Sequence, residues 1–369
     1  MISNKHQTMK DNPRLWLIFL ILLPWVLNSL RQPSSDFGIF VDTARDWVSG
    51  ETRLYDAAHV YYFFLPWSLI ISLPFSYIPH PYGLLIFNSL SLGLLIWSTW
   101  SLVKPVRWWV LAISLTTIYT GMYFMLGQWD VLILAGLSLG WLGVKRKNPW
   151  LVSLALVIMT TKYTNIIFPM FIMLYSIRRW SFKDLFRVAS LPILILPISF
   201  FIAGWDWPFR YSRLMNTTLA IFDHYEVITL FSRTVYPTSY WRLMPPLGPI
   251  VVVCLAIIAL YLVYRLLRRG KNIDAMFLSI PLNLIITPYL MLYHLIYLAP
   301  IQAQLLKMHR ALGFVLYCAA IIDVLLMWFR VGLITYPIVA LIVFCAYVII
   351  EQRKPIVDAP KPVLEIIES

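Results

Sequence analysis

A chain of 369 residues that is 60% hydrophobic and only 13% charged, with mean hydropathy +0.75, is not an ordinary soluble domain, which carries about 25% charge. Its repeated apolar stretches, many near the roughly 20 residues a span needs, predict an all-α polytopic membrane protein. The net charge of +13 fits basic loops that orient the chain and meet anionic lipid, and nucleic acid is not expected as a partner.

In chain order the sequence predicts apolar segments at about 14–30, 62–79, 82–103, 108–126, 130–144, 149–162, 164–177, 188–204, 247–267, 274–287, 289–304, 311–328 and 333–350. That is about 12–13 membrane helices in a single domain over 1–350, followed by a polar tail over 351–369. The first run follows Lys5, Lys10 and Arg14 like a signal sequence, but no small-residue cleavage site succeeds it, so it reads as a retained span. The segment at 62–79 holds Pro66 and Pro74 and is the expected non-crosser. Several segments are short or broken, which membranes tolerate where the breaks line a protein cavity.

Basic clusters at Lys145-Arg146-Lys147, Arg178-Arg179 through Arg187, Arg265 to Lys271 and Arg353-Lys354 are expected on the cytoplasmic side with the N-terminus. A multi-pass protein of the cell membrane then exposes two outer loops, 31–61 and 205–246. Cys254, Cys318 and Cys345 lie inside apolar runs with neither disulfide nor metal spacing.

The first loop concentrates acid. Asp36, Asp42, Asp46, Glu51 and Asp56 place five of the chain's 17 acidic residues within 21 positions. Asp42 and Asp46 share one face if 38–49 is helical, with Arg45 close to it and Val41, Ala44 and Val48 on another. This pattern predicts an amphipathic helix at the membrane surface; its plain alternative is a solvated face with Arg45 as partner. Asp36 is placed before that helix, where it serves either as a cap or as a reactive carboxylate.

Three further elements stand out. Gly127-Gln128-Trp129-Asp130 breaks two apolar helices, and its aspartate reads equally as a helix cap. Lys162 falls inside an apolar stretch, where an ammonium is costly unless it has a task or reaches the interface. Thr287-Pro288-Tyr289 through Tyr293-His294 is another interrupted helix carrying one histidine between tyrosines. In the second loop Arg210, Arg213, Arg233 and Arg242 stand among aromatics, and arginine suits phosphate recognition. No Asp-x-Asp, His/Cys cluster or Gly-rich phosphate loop occurs, so neither a metal nor a nucleotide is expected.

Taken in order, these elements resemble GT-C-type integral membrane glycosyltransferases, and among them the bacterial polyprenyl-phosphomannose-dependent α-mannosyltransferases that include phosphatidylinositol-mannoside mannosyltransferases. The resemblance rests on Asp36, Gly50 with Tyr55, Tyr62 to Pro66, Gly127-Gln128, Lys162 with Pro169, and Thr287-Pro288-Tyr289 with Tyr293-His294, over about 12–300. It departs where Trp129-Asp130 replaces the family's Asn, where Leu290-Met291 replaces a Ser-Trp pair, and where Tyr225-Glu226-Val227 stands for an Asn-x-Ser stretch.

The resemblance implies a polyprenyl-phosphate sugar donor, most simply mannose, a lipid or glycan hydroxyl acceptor, inversion at the anomeric carbon, and no cofactor. Asp36 is then the general base, with Lys162, His294 and Arg233 meeting the leaving phosphate. Gln128, Asp130, Asp42, Asp46, Tyr55, Tyr62 and Tyr293 line the substrate groove. The rival expectations are a lipid-linked sugar flippase, which inverted repeats would favour, a non-catalytic envelope scaffold, and a transferase using arabinose, glucose or a protein acceptor.

Overall fold

The computed structural model describes residues 16–28, 35–50, 53–55, 62, 64–214, 247–286, 292–328 and 336–353. Among these there is no strand, and the chain is an all-α polytopic membrane protein. Its helices are α1 (Trp16–Asn28), α2 (Ser35–Ser49), α3 (Leu69–Ser76), α4 (His80–Val103), α5 (Trp108–Leu115), α6 (Ile118–Leu126), α7 (Asp130–Arg146), α8 (Pro149–Thr160), α9 (Ile167–Ser176) and α10 (Phe182–Ala203). Beyond the second loop follow α11 (Leu247–Arg268), α12 (Asn272–Ile286), α13 (Ala299–Met308), α14 (Arg310–Trp328) and α15 (Tyr336–Arg353).

Most predicted segments appear as helices, and the exceptions have local causes. The segment at 108–126 splits into α5 and α6, bent by 62° at the break. Ser114 and Thr116 turn their hydroxyls back onto the carbonyls of Val110 and Ala112, an internal alternative to the helix ladder that bends helices. The segment at 289–304 becomes a 3-10 turn, Leu292–Leu298, followed by α13, whose first turn holds Pro300. Over 62–79 the helical part is a 3-10 turn at Pro66–Ser68 and the eight residues of α3. Eight residues rise about 12 Å, far short of a ~30 Å hydrocarbon core. Among the described residues only α4 and α10 are long and apolar enough to cross singly, and the bent α5–α6 pair is a third candidate. The predicted tail begins later than 351, because α15 continues to Arg353 while Glu351 pairs with His309 at 3.1 Å. Residues 354–369 and 215–246 of the predicted tail and second loop lie outside the described residues.

The helix predicted over 38–49 is longer, starting at Ser35, so Asp36 lies in its first turn and not ahead of it. The unpaired N–H groups and dipole of a helix start favour a carboxylate there. Most of its apolar side packs on protein, with Val48 exposed near its end. Phe37, Phe40, Val41 and Ala44 are buried in a second core with Leu54, Tyr55, Tyr62, Phe64, Phe87 and Trp129. The Trp47 indole donates to the Ile202 carbonyl at 2.8 Å, tying α2 to the end of α10.

α7 and α8 form a close hairpin. Asn148 caps α8 by accepting from the Trp150 and Leu151 amides, and Pro149 fills the first helical position, where no N–H is needed. Gly136, Gly140 and Gly143 repeat along the face of α7 that meets α8, the small-residue spacing that lets membrane helices approach. A Cβ at Gly143 would lie 2.8 Å from Val152 Cγ2 and 3.0 Å from the Val152 backbone nitrogen, which cannot step aside. Gly143→Val is therefore expected to lower the stability of the detergent-solubilised protein by about 1–3 kcal/mol. A thermal melt indistinguishable from wild type would show the hairpin to be looser than this.

α12 is the central helix. Every residue from Ala275 to Ile285 is buried, and it packs against α9, α11 and α15. α10 is the reverse: Phe182, Phe186, Ile193 and Phe201 face outward, as lipid contact requires.

Candidate active site

The site forms where the helix breaks meet. α6 ends at Gly127 in the left-handed region (φ 65°, ψ 48°), with its amide donating to the Tyr123 carbonyl at 3.0 Å. Glycine adopts this turn at no steric cost. Asn88 of α4 donates to the Phe124 carbonyl at 2.8 Å, occupying an acceptor that the helix end leaves open. The turn delivers Gln128 and then Asp130, the first residue of α7 and fully buried.

Gln128 is the bridge. Its Nε2 donates to Asp36 Oδ2 in a short contact, and its Oε1 accepts from Lys162 Nζ at 3.5 Å. A carboxylate on one side and an ammonium on the other fix which way the amide points. Lys162 Nζ also donates to Asp130 Oδ2 at 3.1 Å, and Asp130 Oδ1 lies 3.7 Å from His294 Nε2. One polar chain thus runs Asp36–Gln128–Lys162–Asp130–His294, joining α2, the α6–α7 turn, the break after α8 and the 3-10 turn before α13.

Lys162 is 9% exposed, so it does not reach out to the interface. A buried ammonium is costly unless it is paired and hydrogen-bonded, and Asp130 and Gln128 supply those contacts. The remaining surroundings of its nitrogen are aromatic: the Tyr293 ring centroid is 4.9 Å away and that of Phe64 5.5 Å.

The wall beside this chain is built by aromatic packing. Phe64 meets Phe40 edge-on at 4.8 Å and tilts against Trp129 at 5.4 Å. The Tyr55 phenol donates to the Phe64 carbonyl at 2.7 Å, and Tyr62 shares a 2.6 Å hydrogen bond with Ser68. Tyr55 itself is held in the left-handed region at φ 70°, which a bulky residue adopts only when its surroundings impose it. The Tyr211 ring at 5.3 Å and the Trp207 ring at 6.4 Å supply that constraint. Burial, then the neighbouring Tyr62 and Tyr211, push the Tyr55 phenol well above its usual range, so it remains a neutral donor. Arg210 fastens this region by donating to the carbonyls of Leu54, at 2.9 Å, and Ala203 while pairing with Asp206.

A carboxylate one amide away from a buried ammonium can take a proton at one end and meet an anion at the other. Comparison with known families agrees with that chemistry: the family model described as Glycosyltransferase family 87 matches residues 62–288, more than half of the chain. The chain belongs to glycosyltransferase family 87. It is a membrane glycosyltransferase, with a sugar donor and an acceptor as its substrates. No curated protein and no solved structure matches it.

Within the family 87 segment fall Tyr62, Gln128, Asp130 and Lys162; Asp36, Tyr55, His294 and Tyr293 flank it and reach the same region through the fold. Asp42 does not join them. It is exposed and pairs with Arg45 at 2.8 Å, the solvated-face alternative, while Arg45 also donates to the Ser76 carbonyl. Asp46 is half-buried one turn further along α2. Arg233 and the Thr287-Pro288-Tyr289 stretch lie outside the described residues.

Sequence reasoning missed Phe64 and Trp129 as walls and Tyr297 as a neighbour of Asp130. Tyr297 had a findable signal only once the segment proved to be 3-10, because residues three apart then eclipse and His294 and Tyr297 share a face. Among the described residues no three His, Cys, Asp or Glu gather as a metal ion would need.

Proposed function

We propose that this family 87 enzyme moves a sugar, most simply mannose, from a polyprenyl phosphate to a hydroxyl of a lipid or glycan acceptor at the outer face, with inversion and without a metal. The observation that carries the reading is the Gln128 bridge between Asp36 and Lys162. Asp36 takes the proton as the acceptor oxygen bonds to the anomeric carbon. The bond from that carbon to the phosphate oxygen breaks, and its electron pair leaves with the lipid phosphate. The transition state is cation-like, so the proton moves late and an ordinary carboxylate suffices.

Lys162 presents fixed positive charge to the departing phosphate, the preorganised electrostatics that such a step needs. Two of its three N–H donors go to Asp130 and Gln128, leaving the third for a phosphate oxygen. His294 supports the same end, and Arg233 is assigned there by the family resemblance alone. Gln128 and Asp130 orient the base and the cation. Tyr55, Tyr62 and Tyr293 shape the groove. Basic clusters on the opposite loops support placing the N-terminus in the cytoplasm.

The deciding experiment offers the purified protein radiolabelled polyprenyl-phosphate mannose, arabinose or glucose with a lipid extract in EDTA. Transfer from the mannose donor, undiminished by chelation, is the expected result. Transfer only from another donor replaces the sugar, and transfer lost on chelation and restored by a divalent cation overturns the metal-free step. No transfer from any of the three overturns the choice of donor and directs the search to another sugar carrier.

A further inference from the structure

We infer that Asn283 of α12 is the positioning residue for Lys162, an inference that rests on reading Lys162 as the cation that meets the leaving phosphate. Lys162 stands where the chain has left α8, with φ −142° and ψ 67°, just ahead of the 3-10 turn Tyr163–Asn165. It belongs to neither α8 nor α9 and only caps the short 3-10 turn, and the ammonium hangs on a flexible four-carbon stem. Its placement therefore depends on what holds the backbone on either side.

Upstream, the Thr161 carbonyl accepts from the Leu65 amide at 3.3 Å, which ties the break to the aromatic wall. Downstream, one side chain spans the turn. Asn283 Oδ1 accepts from the Phe168 amide at 3.0 Å, and its Nδ2 donates to the Thr164 carbonyl at 3.0 Å. Asn283 is 1% exposed, so neither bond is replaced by water when it is removed.

The residue type follows from the geometry. The turn presents a carbonyl and an amide facing one point, and a single side chain answers both only if it carries an acceptor and a donor. Asparagine does; aspartate supplies only acceptors, leucine neither, and glutamine is one methylene longer. The anchor is also rigid, because α12 is buried from Ala275 to Ile285 and packs against α9. The same helix leads toward the turn bearing His294. Asn283 thus sets Lys162 relative to the other end of the polar chain without touching any of its members in the described hydrogen bonds.

The test uses the purified full chain and two readouts. In Asn283→Leu, amide hydrogen exchange is expected to rise over residues 160–168 while the amides of α7 and α12 remain protected. Transfer from polyprenyl-phosphate mannose should fall about tenfold in kcat/KM, since small misplacements of a charge-bearing group are costly. Combined with Lys162→Ala, the substitution should cost nothing further, because two changes acting through one group are not additive.

Unchanged exchange over 160–168, a rise spread evenly through the bundle, or a loss additive with Lys162→Ala each overturns the inference. Asn283→Asp keeps the volume and the acceptor and serves if the leucine variant does not fold; loosening is then expected around Thr164, and its absence is equally decisive. If the wild type transfers no sugar, the reading of Lys162 fails, while the exchange arm still decides whether Asn283 holds the turn.

Discussion

Asp36→Asn is expected to abolish sugar transfer while leaving the folded protein intact. The substitution conserves shape, and the asparagine carbonyl still accepts from Gln128 Nε2, so the contact that ties α2 to the α6–α7 turn survives. What it removes is the carboxylate that takes the proton on that side of the bridge. General-base catalysis contributes about 10²–10⁴-fold, and the loss should fall on kcat with little change in the acceptor KM. Purified wild type and variant would be compared for transfer from the labelled donor, with matched thermal melts as the control for folding. Equal transfer by both would remove Asp36 from the chemistry and direct attention to Asp130, the second carboxylate of the Asp36–Gln128–Lys162–Asp130–His294 series. Asp42 is the weaker replacement, since it faces outward with Arg45.

The second large effect concerns the buried ion pair. Lys162→Met leaves the Asp130 carboxylate, fully buried, without its cation, and breaking one side of such a pair costs about 3–5 kcal/mol. Adding Asp130→Leu removes the stranded charge as well, and replacing both partners with apolar side chains is often neutral. The single variant should therefore melt far below wild type and the double variant should recover most of the difference. Both should transfer sugar only at a low residual rate, because the charge that faces the phosphate is gone from each. A single variant that melts like wild type would show that water or lipid headgroups reach Asp130. A double variant that regains transfer would assign the phosphate to another cation.

Much of this was legible from the chain alone, and the reasons are local. Hydropathy set the helix positions because a bilayer accepts little else than helices with satisfied backbone. Lys162 and Asp130 drew attention because charge inside an apolar stretch is costly wherever the chain goes. Gly127 marked a turn because left-handed backbone favours glycine. The bend between α5 and α6 and the 3-10 turn over Leu292–Leu298 were harder to read, since serine and threonine back-bonding and a shift from 3.6 to 3.0 residues per turn leave the hydropathy almost unchanged.

Local density of acid misled in one respect. Asp42 and Asp46 were expected in the substrate groove near Asp36, yet helical geometry parts Asp42 from it: six residues along α2 turn the side chain through about 600°, so Asp36 faces Gln128 while Asp42 faces outward. The sequence by itself determined that this is a helical membrane protein with a few expensive polar residues at its breaks. Only the tertiary structure decided which of them meet. Gln128 joins Asp36 across 92 positions and Lys162 across 34, and such pairings depend on how helices pack, which no local propensity encodes.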